Sequence, residues 1–174
     1  MKKIFWGLLL LLIEIKWGRL PIIAPLVGYL LIWCGLEEVP ESETFRQTGR
    51  VAAAAAVFAG LVGLKNFLGI LHGDPTGVLI DLVLGVAGLV FRLIVTYQIA
   101  EGVREIEEAR RQDLKSSRLS SGWQVVAGGC IAVVALIPFS PLNIVGLLVA
   151  FGAWIYYAVK FYQAARIYGE AESE

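Results

Sequence analysis

The chain has 174 residues, of which 57% are hydrophobic and 17% charged, and its mean hydropathy is +0.71. A soluble domain is about one quarter charged, so this composition indicates a membrane protein and argues against a soluble globular one. The formal net charge is zero, which leaves no electrostatic basis for binding nucleic acid.

The first 36 residues contain two apolar runs that are separated by the polar stretch EIKWGR. One helix through both runs would place several charges near the bilayer centre, where each costs about 2.5–3.5 kcal/mol. We therefore expect a helical hairpin over residues 3–36. Its first helix, residues 3–17, reaches only about 22 Å, whereas the hydrocarbon core is about 30 Å thick. The hairpin either thins the bilayer or is re-entrant and shielded by other helices.

The opening MKKIFWG and the later stretch VGYLLIWCGLEE resemble an uncharacterised family of small multi-pass membrane proteins from clostridial-type bacteria. The resemblance is confined to the N-terminal region, residues 1–40. An acidic residue often ends the first helix in that family, and Glu14 matches this feature. A Pro-Asp pair precedes the Gly-Tyr of the family, whereas APLVGY at residues 24–29 lacks the aspartate. The resemblance implies the class of membrane protein and no particular activity.

Two longer helical hairpins are predicted over residues 51–98 and 122–165. A proline opens the second helix of each, where its missing N–H costs nothing. Asp74 and Ser140 precede these prolines and are good N-cap residues. The expected fold is all-α: a polytopic transmembrane bundle of six helices in three hairpins, forming a single domain over residues 1–174.

A polar segment follows the fourth predicted helix and extends it beyond the membrane, over residues 99–118. It carries a narrow apolar stripe, and residues 116–122 are expected to break the helix before the fifth span. Two interpretations stay open for this extension. It is either a connecting helix that lies on the protein or the headgroups, or a docking surface for a cytoplasmic partner formed by Val103, Ile106 and Arg110.

The distribution of lysine and arginine predicts the orientation. With six spans, eleven of these residues fall beside the termini and the two polar connections, against Lys16 and Arg19 on the other side. By the positive-inside rule, both termini should be cytoplasmic and the protein should lie in the cytoplasmic membrane.

Lys65 and Asp81 are ionisable residues within apolar runs, on either side of the turn sequence HGDP. In an antiparallel hairpin they lie at similar depth and can form a direct ion pair. One interpretation is a salt bridge that locks the hairpin, with the lysine reaching outward. The other is a polar site on the outer side, completed by Glu14 and Asn66, for a small solute or an ion.

The sequence contains no HExxH, CxxC, GxSxG or phosphate-loop motif. We therefore expect no enzymatic activity, no cofactor and no metal site. Small residues four apart, such as Gly128 with Ala132 and Gly146 with Ala150, favour close helix packing. The leading interpretation is a non-enzymatic accessory or scaffold component, in contact with membrane lipids and acting through a membrane protein partner or a homo-oligomer. The alternative is a small-solute or ion transporter that uses the site around Lys65 and Asp81.

Overall fold

A computed structural model of the chain describes residues 1–12, 23–39, 42–69, 75–111, 113–136 and 140–171. These residues contain six helices and no strand, so the predicted all-α class is confirmed for them. Three of the helices are long and apolar enough to cross a membrane, namely those that begin at residues 43, 75 and 140. The helices are α1 (Lys2–Leu12), α2 (Ile23–Glu37), α3 (Glu43–Phe67), α4 (Pro75–Arg110), α5 (Ser116–Ala135) and α6 (Ser140–Ala171).

Within the residues that the structure describes, the other three helices are shorter or more polar than a membrane span requires. α1 has 11 residues and α2 has 15, whereas a span takes about 20. α5 has 20 residues but opens with SSRLSSG, which leaves an apolar part of only residues 122–135. The structure therefore supports six helices with three candidate spans, and not clearly the six spans that were predicted.

Each helix packs mainly on its neighbours in the chain, and α6 also packs on α1, so the bundle closes on itself. The rings of Phe5 on α1 and Tyr162 on α6 meet with their centroids 5.1 Å apart. Consecutive helices run antiparallel, as the contacts of α3 with α4 illustrate: Glu105 lies beside Ser42, and Asp81 lies beside Lys65.

The bundle has two unlike ends. One end, which we call the charged end, holds the start of α1, the α2–α3 and α4–α5 connections and the last turns of α6. The apolar end holds the end of α3, the start of α4, the end of α5 and the start of α6. The core lies towards the charged end, where these large side chains are fully buried: Ile4, Ile32, Phe45, Ile99, Ile106, Leu119, Tyr157 and Phe161.

The short first hairpin is held together by close backbone contact. A Cβ atom on Gly7 would lie 2.6 Å from the Gly28 carbonyl oxygen, and one on Gly35 would lie 2.8 Å from the Ile4 nitrogen. Only glycine permits helices to approach this closely. A similar approach joins α5 to α6 at Gly129, whereas the neighbouring Gly128 faces open space.

The connection between α4 and α5 is tighter than predicted. α4 is continuous to Arg110, and the next residue, Arg111, has a left-handed backbone with φ of 52°. Lys115 is also left-handed, with φ of 60°, and α5 begins directly after it. α4 therefore ends at Arg110, and residues 116–122, expected as the break, form the first turns of α5.

Replacing Gly102 tests the packing of α3 on α4. A Cβ atom there would lie 2.1 Å from the Phe45 ring, which is fully buried. We expect Gly102→Ala to lower the free energy of unfolding by about 1–3 kcal/mol, the cost of overpacking a core. The measurement is reversible unfolding in detergent, followed by circular dichroism.

The control is Gly152→Ala on α6, because nothing lies within 4 Å of a Cβ atom at that position. That variant should keep or gain stability, since alanine is better than glycine within a helix by about 0.5–1 kcal/mol. Adding Phe45→Leu should relieve the Gly102→Ala defect. Equal stability of the two alanine variants would contradict the packing.

Candidate functional site

Lys65 and Asp81 form an ion pair between α3 and α4. α3 ends two residues after Lys65, and Gly69 follows in the left-handed conformation with φ of 63°. A cation in the last turn of a helix is favoured by the helix dipole. The Lys65 side chain is 14% exposed and that of Asp81 50% exposed, so the ammonium is largely covered while the carboxylate keeps an open side.

Asn66, the third residue of the predicted polar site, does not join this pair. Asn66 is exposed, and it follows Lys65 directly, so the two side chains leave the helix about 100° apart. Glu14 lies outside the described residues. The structure thus brings together two of the four predicted residues, Lys65 and Asp81.

The surface of α4 on either side of Asp81 in the sequence carries an apolar crevice. The crevice has a volume of about 190 Å³ and is lined by Leu79, Ile80, Val83 and Leu84. None of these side chains can hold an ion or hydrogen-bond a polar solute. A larger cavity, of about 520 Å³, lies at the charged end between α2 and α3.

In the middle of the bundle, polar side chains of α5 and α6 donate hydrogen bonds to backbone carbonyls of α4. The Tyr157 hydroxyl donates to the Thr96 carbonyl at 2.7 Å, and the Trp123 indole N–H donates to the Leu93 carbonyl at 3.1 Å. The Arg92 guanidinium lies 5.4 Å from the centre of the Trp154 ring. These contacts tie α5 and α6 to α4, and they give buried polar atoms the partners that an apolar interior requires.

The apolar stripe of the α4 extension is buried against other parts of the chain. Val103 and Ile106 are fully buried in the core, as are Ile99 and Leu114. Arg110 donates a hydrogen bond to the Tyr168 hydroxyl at 3.1 Å and stacks on its ring, 4.4 Å from the centre. The residues predicted as a partner surface therefore hold α4 against its neighbours and do not form an exposed surface on this chain.

Glu105 caps the start of α3 from across the helix pair. Its carboxylate accepts the Thr44 backbone N–H at 3.1 Å and the Ser42 hydroxyl. The same Ser42 oxygen accepts the Phe45 backbone N–H at 3.1 Å, as an N-cap residue does. A carboxylate at a helix N-terminus also meets the positive end of the helix dipole.

Glu107 caps the start of α5 in a similar way. Its carboxylate accepts the Ser116 backbone N–H at 2.9 Å and the Ser116 hydroxyl at 3.0 Å. The sequence analysis missed both caps. The available signal was Ser-Glu-Thr at residues 42–44, a typical helix start, but the apolar run that sets the predicted span begins only at Val51.

The start of α1 is held to the end of α2 by a second ion pair, between Lys3 and Glu38. Hydrogen bonding to the Lys3 ammonium lowers the pKa of the Glu38 carboxyl below its ordinary value. Both side chains are about half exposed, so the pair orients the first hairpin and adds little stability.

No group of three or more potential metal ligands occurs among the residues that the structure describes. No protein-family model, curated protein or solved structure matches this chain. Its class is therefore set by the helices themselves: a helical protein with three candidate membrane-spanning helices.

Charge exchange tests whether the Lys65–Asp81 contact stabilises the hairpin. Lys65→Asp alone places two carboxylates together, and Asp81→Lys alone places two ammonium groups together. An exposed ion pair contributes about 0.2–1 kcal/mol, and breaking a buried one costs about 3–5 kcal/mol. Because Asp81 is half exposed, each single variant should lower the free energy of unfolding by an amount between these ranges. The double exchange should restore the thermal stability measured in detergent, and failure of that rescue would contradict a stabilising pair.

Removing the Ser42 hydroxyl tests the shared cap. Ser42→Ala should lower the free energy of unfolding by about 1 kcal/mol, since α3 loses its N-cap and Glu105 loses one donor. The matched control is Ser121→Ala, because Ser121 is exposed and its hydroxyl donates to the Ser117 carbonyl of its own helix. That change should stay within about 0.5 kcal/mol. Equal losses for both variants would argue against the cap.

Proposed function

We propose that this chain is a non-enzymatic, multi-pass accessory or scaffold protein of the cytoplasmic membrane, which acts by associating with membrane protein partners or further copies of itself. The proposal includes six spans in three hairpins, with both termini cytoplasmic. The observation that carries it is the exposure of apolar side chains over more than one face of α4 and α6 at the apolar end.

The start of α4 shows this exposure. Leu82 and Val83 are neighbours in sequence, and they are 49% and 59% exposed. Val78 and Leu79, one turn earlier, are 68% and 61% exposed. Successive residues on a helix point about 100° apart, so these side chains cover more than one face. Only a narrow face, with Gly77 buried and Ile80 and Leu84 half-buried, is covered by the bundle itself.

The start of α6 has the same property. Leu147, Leu148 and Val149 are consecutive, and each is more than half exposed. Gly146, directly before them, contacts Val133 on α5, so this end of α6 touches its neighbour through a glycine. Lipid covers such surfaces in a bilayer, and another helix covers them better where small residues allow close approach.

Substitutions at three glycines that face open space can identify the face through which the protein associates. Gly85 on α4, Gly128 on α5 and Gly152 on α6 have no atom within 4 Å of an added Cβ. Leucine at these positions keeps the surface apolar and blocks close helix approach. The protein should be extracted gently with its own lipids, and its copies and bound proteins weighed by native mass spectrometry.

We expect a defined homo-oligomer or a stoichiometric second protein, and loss of that species for at least one of the three leucine variants. The other variants serve as controls for general effects of the substitution. A monomer without bound protein, or association that all three variants retain, would contradict the proposal.

Transport of a small solute or an ion is the second candidate, and the half-exposed carboxylate of Asp81 favours it. An ionisable group within a membrane segment is costly, and it commonly marks a site for an ion or a polar solute. A bound small molecule that is lost in Asp81→Asn would support transport. In the Lys65–Asp81 exchange, restored stability together with lost uptake would support a site, and restoration of both would support a structural pair only.

A further inference from the structure

The larger cavity of the structure is a groove at the charged end, between the end of α2 and the start of α3. It encloses about 520 Å³. Its floor is apolar, because Leu36, Val39 and Phe45 line it and are buried. Its rim is charged and exposed, and carries Glu37, Glu43, Arg46 and Arg50. The groove is therefore amphipathic, and its rim has no net charge.

Two of the four rim charges are already paired with each other. Arg46 bonds to Glu43 at 2.7 Å within the first turn of α3. Glu37 and Arg50 form no ion pair with the residues that the structure describes. One carboxylate and one guanidinium on this rim are thus free to bind a ligand that carries both signs of charge.

The two free charges lie at different depths. Trp33 lies beside Gly49, with its Cδ1 atom 3.5 Å from the position of a Cβ there, so these residues share a level. Arg50 follows Gly49 and borders the apolar part of α3. Glu37 lies one helical turn beyond Trp33, about 6 Å further towards the charged end. The positive charge is therefore at the apolar boundary, and the negative charge lies outside it.

This order of charges matches one class of phospholipid. Along an ethanolamine headgroup the phosphate is nearer to the acyl chains, and the ammonium follows it two carbons further on. Trp33, whose side chain is 37% exposed, is an amphipathic ring of the kind that lies at headgroup level. The outer rim carries carboxylates and no aromatic cage, which suits a primary ammonium better than a quaternary one.

We propose that the groove between α2 and α3 binds the headgroup of a phosphatidylethanolamine molecule, with its phosphate on Arg50 and its ammonium on Glu37. The apolar floor takes the glycerol region, and Trp33 forms one wall. This site is independent of the association proposed above, because it lies at the charged end and needs no second protein.

The experiment measures lipid retention. The full chain is embedded in nanodiscs that contain equal amounts of phosphatidylethanolamine, phosphatidylglycerol and phosphatidylcholine with identical acyl chains. It is then released into native mass spectrometry, and retained lipids are counted by mass. We expect one phosphatidylethanolamine to be retained in preference to the other two lipids.

Two variants test which side chain binds the phosphate and which binds the ammonium. Arg50→Gln should weaken retention of phosphatidylethanolamine about tenfold, the effect of losing one charge-assisted hydrogen bond. Glu37→Gln should abolish the preference over phosphatidylglycerol and leave the phosphate contact in place. Arg118→Gln and Glu108→Gln are the matched controls, since both residues are exposed elsewhere at the charged end.

Equal retention of all three lipids by the unaltered chain would overturn the proposal, as would retention of none. Loss of retention in Arg118→Gln to the same extent as in Arg50→Gln would also overturn it, because it would indicate general attraction to the bundle. Thermal unfolding of every variant in detergent distinguishes a lost lipid site from a lost fold.

Discussion

The bundle depends on the hydrogen-bond acceptors that α4 supplies to the first turns of its neighbours. The first N–H groups of a helix have no partner within it, and a helix that starts inside a packed structure must find one. Glu105 serves α3, and Glu107 serves α5. These residues are two apart on one helix, so they point to nearly opposite sides. The extension of α4 is thus the element around which the charged end is assembled.

The two ends of the molecule are stabilised in different ways. At the charged end, caps, ion pairs and aromatic stacking surround a core with buried rings such as Tyr157 and Phe161. At the apolar end, Lys65 and Asp81 form the interhelical ion pair, and many aliphatic side chains stay exposed. Water favours the burial of apolar side chains, as occurs at the charged end. In lipid, the exposed apolar side chains of the apolar end are at no disadvantage.

Sequence periodicity and charge predicted that the helices exist and that Lys65 and Asp81 can pair, because both follow from local chain geometry. The start of α3 was placed eight residues late, since Ser42 and Glu43 are polar and the prediction followed hydropathy. The burial of Val103 and Ile106 was not predictable either. A stripe of that width suits a partner helix equally well, and only the tertiary structure shows that the chain covers it itself.

Contact between α1 and α6 has a consequence for biosynthesis. α1 precedes α6 in the chain and is synthesised before it, so the surface that the two helices share exists only after α6 has been made. Until then Phe5 lacks its partner Tyr162, and the first hairpin is held by its own glycine contacts and by α3. The contact that closes the bundle therefore forms last, and any chain that stops before α6 leaves the apolar face of α1 around Phe5 uncovered.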